Sequence, residues 1–122
     1  MKLGIVGSRR RATGKDLILI KKRVEELQPE MIISGGCSEG ADHFAEMIAK
    51  EFGIPITIYY PKLESTKRYS YYEIVKANYA RNKLIAQNSD RLIALVAPDR
   101  KGGTEHTIGL FNRFHRWDCE IL

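Results

Sequence analysis

Short hydrophobic runs alternate along the chain with longer segments in which apolar residues recur every three or four positions. The short runs predict buried strands and the longer pattern predicts amphipathic helices. The predicted strands cover residues 3–7, 31–34, 54–60, 92–97 and 119–122, and the predicted helices cover 15–27, 41–52, 71–88 and 104–114. This alternation predicts an α/β fold, in which one Rossmann-like, doubly wound domain spans residues 1–122. We expect a mostly parallel sheet of about five strands with helices on both faces.

The third predicted helix is the longest of the four. Ile74, Ala77, Leu84 and Ile85 are expected to face the core. The polar pair Arg81 and Asn82 interrupts that pattern. The pair predicts either a ligand-facing patch or an ordinary solvated face.

Composition excludes several classes of protein. The chain has 122 residues, 43% of them hydrophobic and 29% charged, which is typical of a folded globular protein. No apolar run approaches the roughly 18 residues of a membrane helix, and the first strand begins too early for a preceding signal peptide. Cys37 and Cys119 are too few for a disulfide framework, so we expect reduced thiols, a cytoplasmic protein and no membrane partner.

Loops rich in small residues follow the first, second and fourth predicted strands, at residues 7–10, 34–42 and 98–104. In a parallel sheet these loops meet at the edge where ligands bind. Glycines allow backbone N–H groups to approach a phosphate, and the helix after each loop offers further unpaired N–H groups. Arg9, Arg10, Arg100 and Lys101 lie in the same loops, and the net charge is +5. The loops therefore predict a site for a phosphorylated ligand, although neither GxGxxG nor GxxxxGK[ST] is present.

Several short motifs resemble those of the SLOG superfamily in order and spacing. They are GIVGSR at 4–9, ISGG at 33–36, GAD at 40–42, ARN at 80–82 and GGT at 102–104. This superfamily includes DprA (Smf) proteins, the Lonely Guy phosphoribohydrolases and small stand-alone domains of the YspA type, which look most similar. The resemblance implies a Rossmann-like domain that binds a nucleotide or a nucleotide-derived molecule.

The resemblance also implies where ligand and catalytic groups lie. The expected ligand-binding residues are Gly7, Ser8, Arg9, Ser34, Gly35, Gly36, Gly40, Asp42, Arg81, Asn82, Gly102, Gly103 and Thr104. In the phosphoribohydrolases an arginine on the long helix acts with the glutamate of a PGGxGTxxE loop. Arg81 matches that arginine, whereas Thr107 stands at the glutamate position. The candidate catalytic residues are therefore Arg81, Glu39 and Glu105.

Three functions remain open from the sequence. The first is a binding module or sensor for a phosphorylated nucleotide-like molecule. The second is a nucleoside 5′-monophosphate N-glycosidase, and the third is DprA-like binding of single-stranded nucleic acid.

The remaining polar and aromatic residues suggest secondary roles. His43, His106 and Cys37 form no recognised metal pattern, and neither a metal nor a cofactor is expected. One or two tyrosines are expected either to stack on a base or to pack loops, among Tyr59, Tyr60, Tyr69, Tyr71 and Tyr72. Phe111, Phe114 and Trp117 are expected either to form a homodimer interface or to join the core.

Overall fold

A computed structural model describes residues 1–114 and 118–122 of the chain. Its strands are β1 (Lys2–Gly7), β2 (Met31–Ser34), β3 (Ile56–Ile58), β4 (Arg91–Leu95) and β5 (Cys119–Ile121). Its helices are α1 (Gly14–Leu27), α2 (Ala41–Phe52), α3 (Tyr71–Asn88) and α4 (Gly103–Phe114). The nine elements follow the predicted order, so the alternation of hydrophobic patterns was interpreted correctly.

The five strands form one sheet in the order β3-β2-β1-β4-β5, and every neighbouring pair is parallel. The chain moves outward from β1 to β3 and then returns to the other side of β1 as β4. This reversal places a switch point between β1 and β4, where a crevice opens at the carboxyl edge. The predicted α/β Rossmann-like fold with helices on both faces is confirmed.

Each face of the sheet buries its own apolar cluster. On one face, α1 and α2 pack over the sheet through residues that include Ile20 and Phe44. On the other face, α3 and α4 do so through residues that include Ile85 and Phe111. Phe111 is fully buried, so it belongs to the core, whereas Phe114 is 46% exposed and Trp117 lies outside the described residues.

Local signals explain where two of the helices begin. Thr13 accepts a hydrogen bond from the backbone N–H of Asp16, whose carboxylate accepts one in return from the Thr13 N–H. Ser70 and Glu73 form the same reciprocal arrangement at the start of α3. Such capping boxes satisfy two backbone N–H groups of the first turn, which would otherwise lack partners.

Two sequence predictions need correction. The third strand is shorter than predicted, because the Ile54 N–H bonds to the Ala49 carbonyl at the end of α2, and because the residue register with β2 ends at the pair Ser34 and Ile58. On α3, Ile74 and Leu84 do not face the core, since they are 38% and 37% exposed.

Among the described residues, no helix is long and apolar enough to span a bilayer.

Candidate functional site

A cleft of about 710 Å³ opens at the carboxyl edge of the sheet, beside the switch point between β1 and β4. Its walls are the loop after β1, the loop after β2, one side of α3 and the start of α4. A smaller pocket of about 250 Å³ adjoins it and is lined mainly by the loop after β2. Arg9, Gly35, Cys37 and Arg81 line both spaces, so the two are lobes of one site.

Most of the predicted ligand-binding residues meet in this site. Those lining the main cleft are Gly7, Ser8, Arg9, Gly35, Asp42, Arg81, Asn82, Gly102, Gly103 and Thr104. Gly36 and Glu39 line only the smaller pocket. Ser34 and Gly40 are buried and line neither space.

Gly40 has a structural reason to be glycine. Its φ is +70°, and a Cβ there would lie 2.9 Å from the Ser8 carbonyl oxygen. The residue therefore allows the loop after β2 to pack closely on the loop after β1. Gly40 therefore shapes the site indirectly, because it allows these two loops to lie close together.

Arg81 is held in place on both sides. Its Nη1 donates to the Gly35 carbonyl oxygen at 2.6 Å, and its Nε donates to Asn82 Oδ1 at 2.9 Å. These bonds use two of its five N–H donors within residues 1–114 and 118–122, which leaves three for a ligand. Burial lowers the pKa of the guanidinium, while the nearby Asp42 carboxylate opposes that shift. The group remains charged, and an anion in the cleft would offset its lost hydration.

Asp42 is the one acidic residue that lines the main cleft in the described part of the chain. Its Oδ2 accepts a hydrogen bond from the Cys37 N–H at 3.0 Å. Burial raises the pKa of this carboxyl, against the opposing effects of that N–H and of Arg81. Gly35 lies between the two side chains, since a Cβ there would be 2.7 Å from Arg81 Nη1 and 3.0 Å from Asp42 Oδ2.

The three arginines of the run after β1 have three different environments. Arg11 donates to Asp16, to the Val96 carbonyl and to the Leu122 carbonyl, so it is structural. Arg10 forms an exposed ion pair with Asp99, although it also borders the cleft. Arg9 lines both lobes, and no ion pair is found for it within the two described ranges.

The start of α4 forms another wall, where Gly102, Gly103, Thr104 and Lys101 line the cleft. Glu105 does not share this position. Both of its carboxylate oxygens accept bonds from Arg100 Nε at 3.0 Å, and neither Glu105 nor Arg100 lines the cleft. Thr107 does line it, with its hydroxyl donating to the Gly103 carbonyl at 3.3 Å.

Sequence reasoning missed part of the α3 wall. Val75, Asn78 and Tyr79 line the cleft together with the suggested Tyr71, while Tyr72 lies outside it. The Tyr79 ring stacks on His106, with centroids 3.8 Å apart and planes inclined by 15°. The missed signal is helical spacing, because residues 71, 75, 78 and 82 fall on one face of a helix.

The other suggested tyrosines line the smaller pocket, pack against the core or hold a loop. Tyr60 lines the smaller pocket, and Tyr59 packs against the core cluster under α3 and α4. The Tyr69 hydroxyl accepts a hydrogen bond from the Glu64 N–H at 2.9 Å, which packs the loop before α3.

Among the described residues, no group of three or more His, Cys, Asp or Glu side chains is arranged to hold a metal ion.

Comparison with known proteins adds little to this geometry. No family model and no curated protein sequence matches the chain. Among solved structures it is similar to the molybdenum cofactor carrier protein MCP from Chlamydomonas reinhardtii. The identity is 15%, the match covers 99% of this chain and 89% of that chain, and the TM-score is 0.46. A likeness at this level carries no argument about what the present chain binds.

Proposed function

We propose that this chain is a SLOG-type, YspA-like binding module or sensor for a phosphorylated nucleotide or a nucleotide-derived small molecule. The observation that carries the proposal is the charge of the main cleft. Four cationic side chains, Arg9, Arg10, Arg81 and Lys101, line it against the single carboxylate of Asp42 among the described residues. A volume of about 710 Å³ lies within the range of about 300–1,000 Å³ typical of small-molecule sites.

Arg9 and Arg81 are the groups that bind the anion in this proposal. Both border both lobes, and Arg81 is held by Gly35 and Asn82 with three N–H donors left for a ligand. Charge-assisted bonds from arginine to phosphate oxygens are about twice as strong as neutral ones. Backbone N–H groups at the start of α4 add further donors and a favourable helix dipole.

Catalysis is not part of this proposal. Glu105 is engaged by Arg100 outside the cleft, and Glu39 is exposed beside the smaller pocket. The N-glycosidase and DprA-like alternatives therefore have no specific observation in their favour. The free thiols of Cys37 and Cys119 are consistent with the proposed cytoplasmic location.

Thermal unfolding with and without ligand tests the proposal. We expect a nucleoside 5′-monophosphate from the set AMP, GMP, CMP and UMP to stabilise the protein more than its parent nucleoside. Ligand at a hundred times Kd adds about 2.7 kcal/mol, which corresponds to a rise in Tm of about 10 °C for a chain of this size.

Three variants make the test specific to the cleft. Arg9→Gln and Arg81→Gln should remove most of the rise. Arg113→Gln should keep it, because Arg113 lies ten positions after Gly103 on α4, about 15 Å along the helix axis. A Tm that no phosphorylated compound raises, or equal losses in all three variants, would contradict the proposal.

A further inference from the structure

We propose that the α3 wall of the main cleft is an aromatic-base site, with Tyr79 as the residue on which the base stacks. The inference rests on the proposed function and names the part of the ligand that the loops do not recognise. It follows from the distribution of charge in the cleft, from the stacking of Tyr79 on His106, and from the network that joins Tyr79 to Arg81.

The two walls of the cleft differ in chemistry. The loops supply the cations Arg9, Arg10 and Lys101. Apart from Arg81, the side chains that α3 contributes are uncharged and largely apolar: Tyr71, Val75, Asn78, Tyr79, Asn82 and Ile85. A phosphate alone would use only the loops and Arg81. A ligand that fills the cleft needs a flat, mostly apolar portion against α3 and an anionic portion against the loops.

Helical geometry separates these two portions. At about 100° per residue, residues 71, 75, 78, 82 and 85 form one stripe along α3. Arg81 and Tyr79 lie on opposite sides of that stripe. Arg81 bonds to Gly35 of the loop after β2, whereas Tyr79 stacks on His106 of α4. The anionic and aromatic ends of the ligand would therefore lie on opposite sides of Asn78 and Asn82.

The Tyr79 ring is already fixed in position. His106 covers one ring face at a centroid distance of 3.8 Å, so the 47% exposure of Tyr79 belongs to its remaining surface. His106 Nδ1 lies 3.3 Å from Asn82 Nδ2, and Asn82 Oδ1 accepts from Arg81 Nε at 2.9 Å. One continuous network thus joins the anion-binding guanidinium to the aromatic ring. A ring held in this way loses little side-chain entropy when a base stacks on it.

Calorimetric titration with matched ligands tests the inference. The probes are the nucleoside 5′-monophosphate that binds most tightly among AMP, GMP, CMP and UMP, and ribose 5-phosphate, which lacks the base. We expect the nucleotide to bind the wild type more tightly than ribose 5-phosphate. Tyr79→Ala should weaken nucleotide binding about 5- to 150-fold, the range for one base stacked on an aromatic ring. It should leave the affinity for ribose 5-phosphate unchanged.

Two further variants separate stacking from other effects. Tyr79→Phe keeps the ring and should retain nucleotide affinity. Tyr72→Ala removes a tyrosine of the same helix that is 72% exposed and outside the cleft, so it should bind both probes as the wild type does.

The possible failures are distinguishable. Equal affinity of the wild type for nucleotide and ribose 5-phosphate would overturn the base site and leave the phosphate site standing. Equal losses for both probes in Tyr79→Ala would also overturn it, because Tyr79 would then act only on the general structure. If no phosphorylated probe bound the wild type, the proposed function and this inference would both be wrong.

Discussion

Removing the Arg11 side-chain charge should destabilise the fold more than any other single change in the arginine run. Arg11 Nε donates to Asp16 Oδ1 at 2.8 Å. Its Nη1 donates to the Val96 carbonyl at 2.9 Å and to the Leu122 carbonyl at 3.0 Å. These bonds tie the loop after β1 to the start of α1, to the end of β4 and to the end of the chain. The position of Arg9 in the cleft depends on the same loop.

The structure sets the size of the effect. Arg11→Met keeps most of the aliphatic stem but leaves the Asp16 carboxylate and two carbonyls without these donors. Removing one partner of a buried ion pair costs about 3–5 kcal/mol. The Arg11 side chain is 22% exposed and that of Asp16 is 8% exposed, and Thr13 still donates to Asp16. Because of this partial exposure and the remaining bonds from Thr13, we expect a cost at or just below the lower end of that range, about 2–3 kcal/mol, and a fall in Tm of about 8–12 °C.

Urea denaturation at several pH values measures this loss and its cause. Burial pushes the pKa of Asp16 upward, but the bonds from Thr13 and Arg11 outweigh it, so the pKa lies below its ordinary value. The carboxylate therefore stabilises the fold above about pH 4, and this stabilisation is lost as the pH falls through the folded-state pKa. In Arg11→Met the folded-state pKa of Asp16 should be less depressed, so the acid loss should be smaller and should end at a higher pH, while it begins near the same unfolded-state pKa.

The neighbouring arginine provides the control. Arg10 and Asp99 form an ion pair whose side chains are 54% and 46% exposed. Arg10→Met should leave the urea midpoint unchanged, since exposed pairs of this kind contribute little. A loss below about 0.5 kcal/mol in Arg11→Met, or an acid limb identical to that of the wild type, would refute the structural role of Arg11.

Three other substitutions have definite expected outcomes. Gly35→Ala places a Cβ 2.7 Å from Arg81 Nη1, so thermal shift should show loss of nucleotide stabilisation. Urea denaturation should show only a small stability change, because the flexible arginine end can move. Gly109→Ala meets no atom within 4 Å on an exposed helix position and should raise the free energy of unfolding by about 0.5–1 kcal/mol. Burial raises the pKa of Asp42 in the folded state. The stability of the wild type should therefore fall as the pH rises from the ordinary pKa of an aspartate to this raised pKa. Asp42→Asn should lack that decline and be at least as stable as the wild type in urea at pH 7.

The sequence predicted the helices and strands better than it predicted which side chains contact each other. Strand and helix positions followed from local apolar runs, which are visible within a few residues. The partners of the arginines could not be predicted from local patterns, because they are distant in sequence. Arg10 pairs with Asp99, 89 positions away, and Arg11 donates to the Leu122 carbonyl, 111 positions away. The loop composition indicated a cluster of cations, but only the tertiary arrangement separates Arg9 from the structural Arg11.

The same limit explains the error on α3. Its apolar residues were expected to face the core, yet the helix has two environments to satisfy. Ile85 and Ala86 are buried against the sheet, while Val75 and Asn78 line the cleft. Asn82 is 5% exposed and joins the two environments through Arg81 and His106. A single period of hydrophobicity cannot describe a helix that serves both a core and a cleft.

The proposed function predicts that the chain binds a nucleotide without hydrolysing it. Hydrolysis of an N-glycosidic bond needs a positioned group to activate water or to protonate the leaving base. In the resemblance to the phosphoribohydrolases, Thr107 stands where those enzymes have their glutamate, and its hydroxyl donates to the Gly103 carbonyl. Among the described residues, Asp42 is the only carboxylate lining the main cleft, and it accepts the Cys37 N–H.

Chromatography of nucleoside 5′-monophosphates after prolonged incubation with the protein should therefore show intact nucleotide. Release of free base by the wild type would contradict this reasoning. If Asp42→Asn abolished such release while the nucleotide still raised the Tm of the variant, Asp42 would be the acid or base. Loss of both release and thermal stabilisation would assign it to ligand binding instead. Because the cleft combines cations with an aromatic wall, we expect recognition of the whole nucleotide, and cleavage would remove one of its two recognised ends.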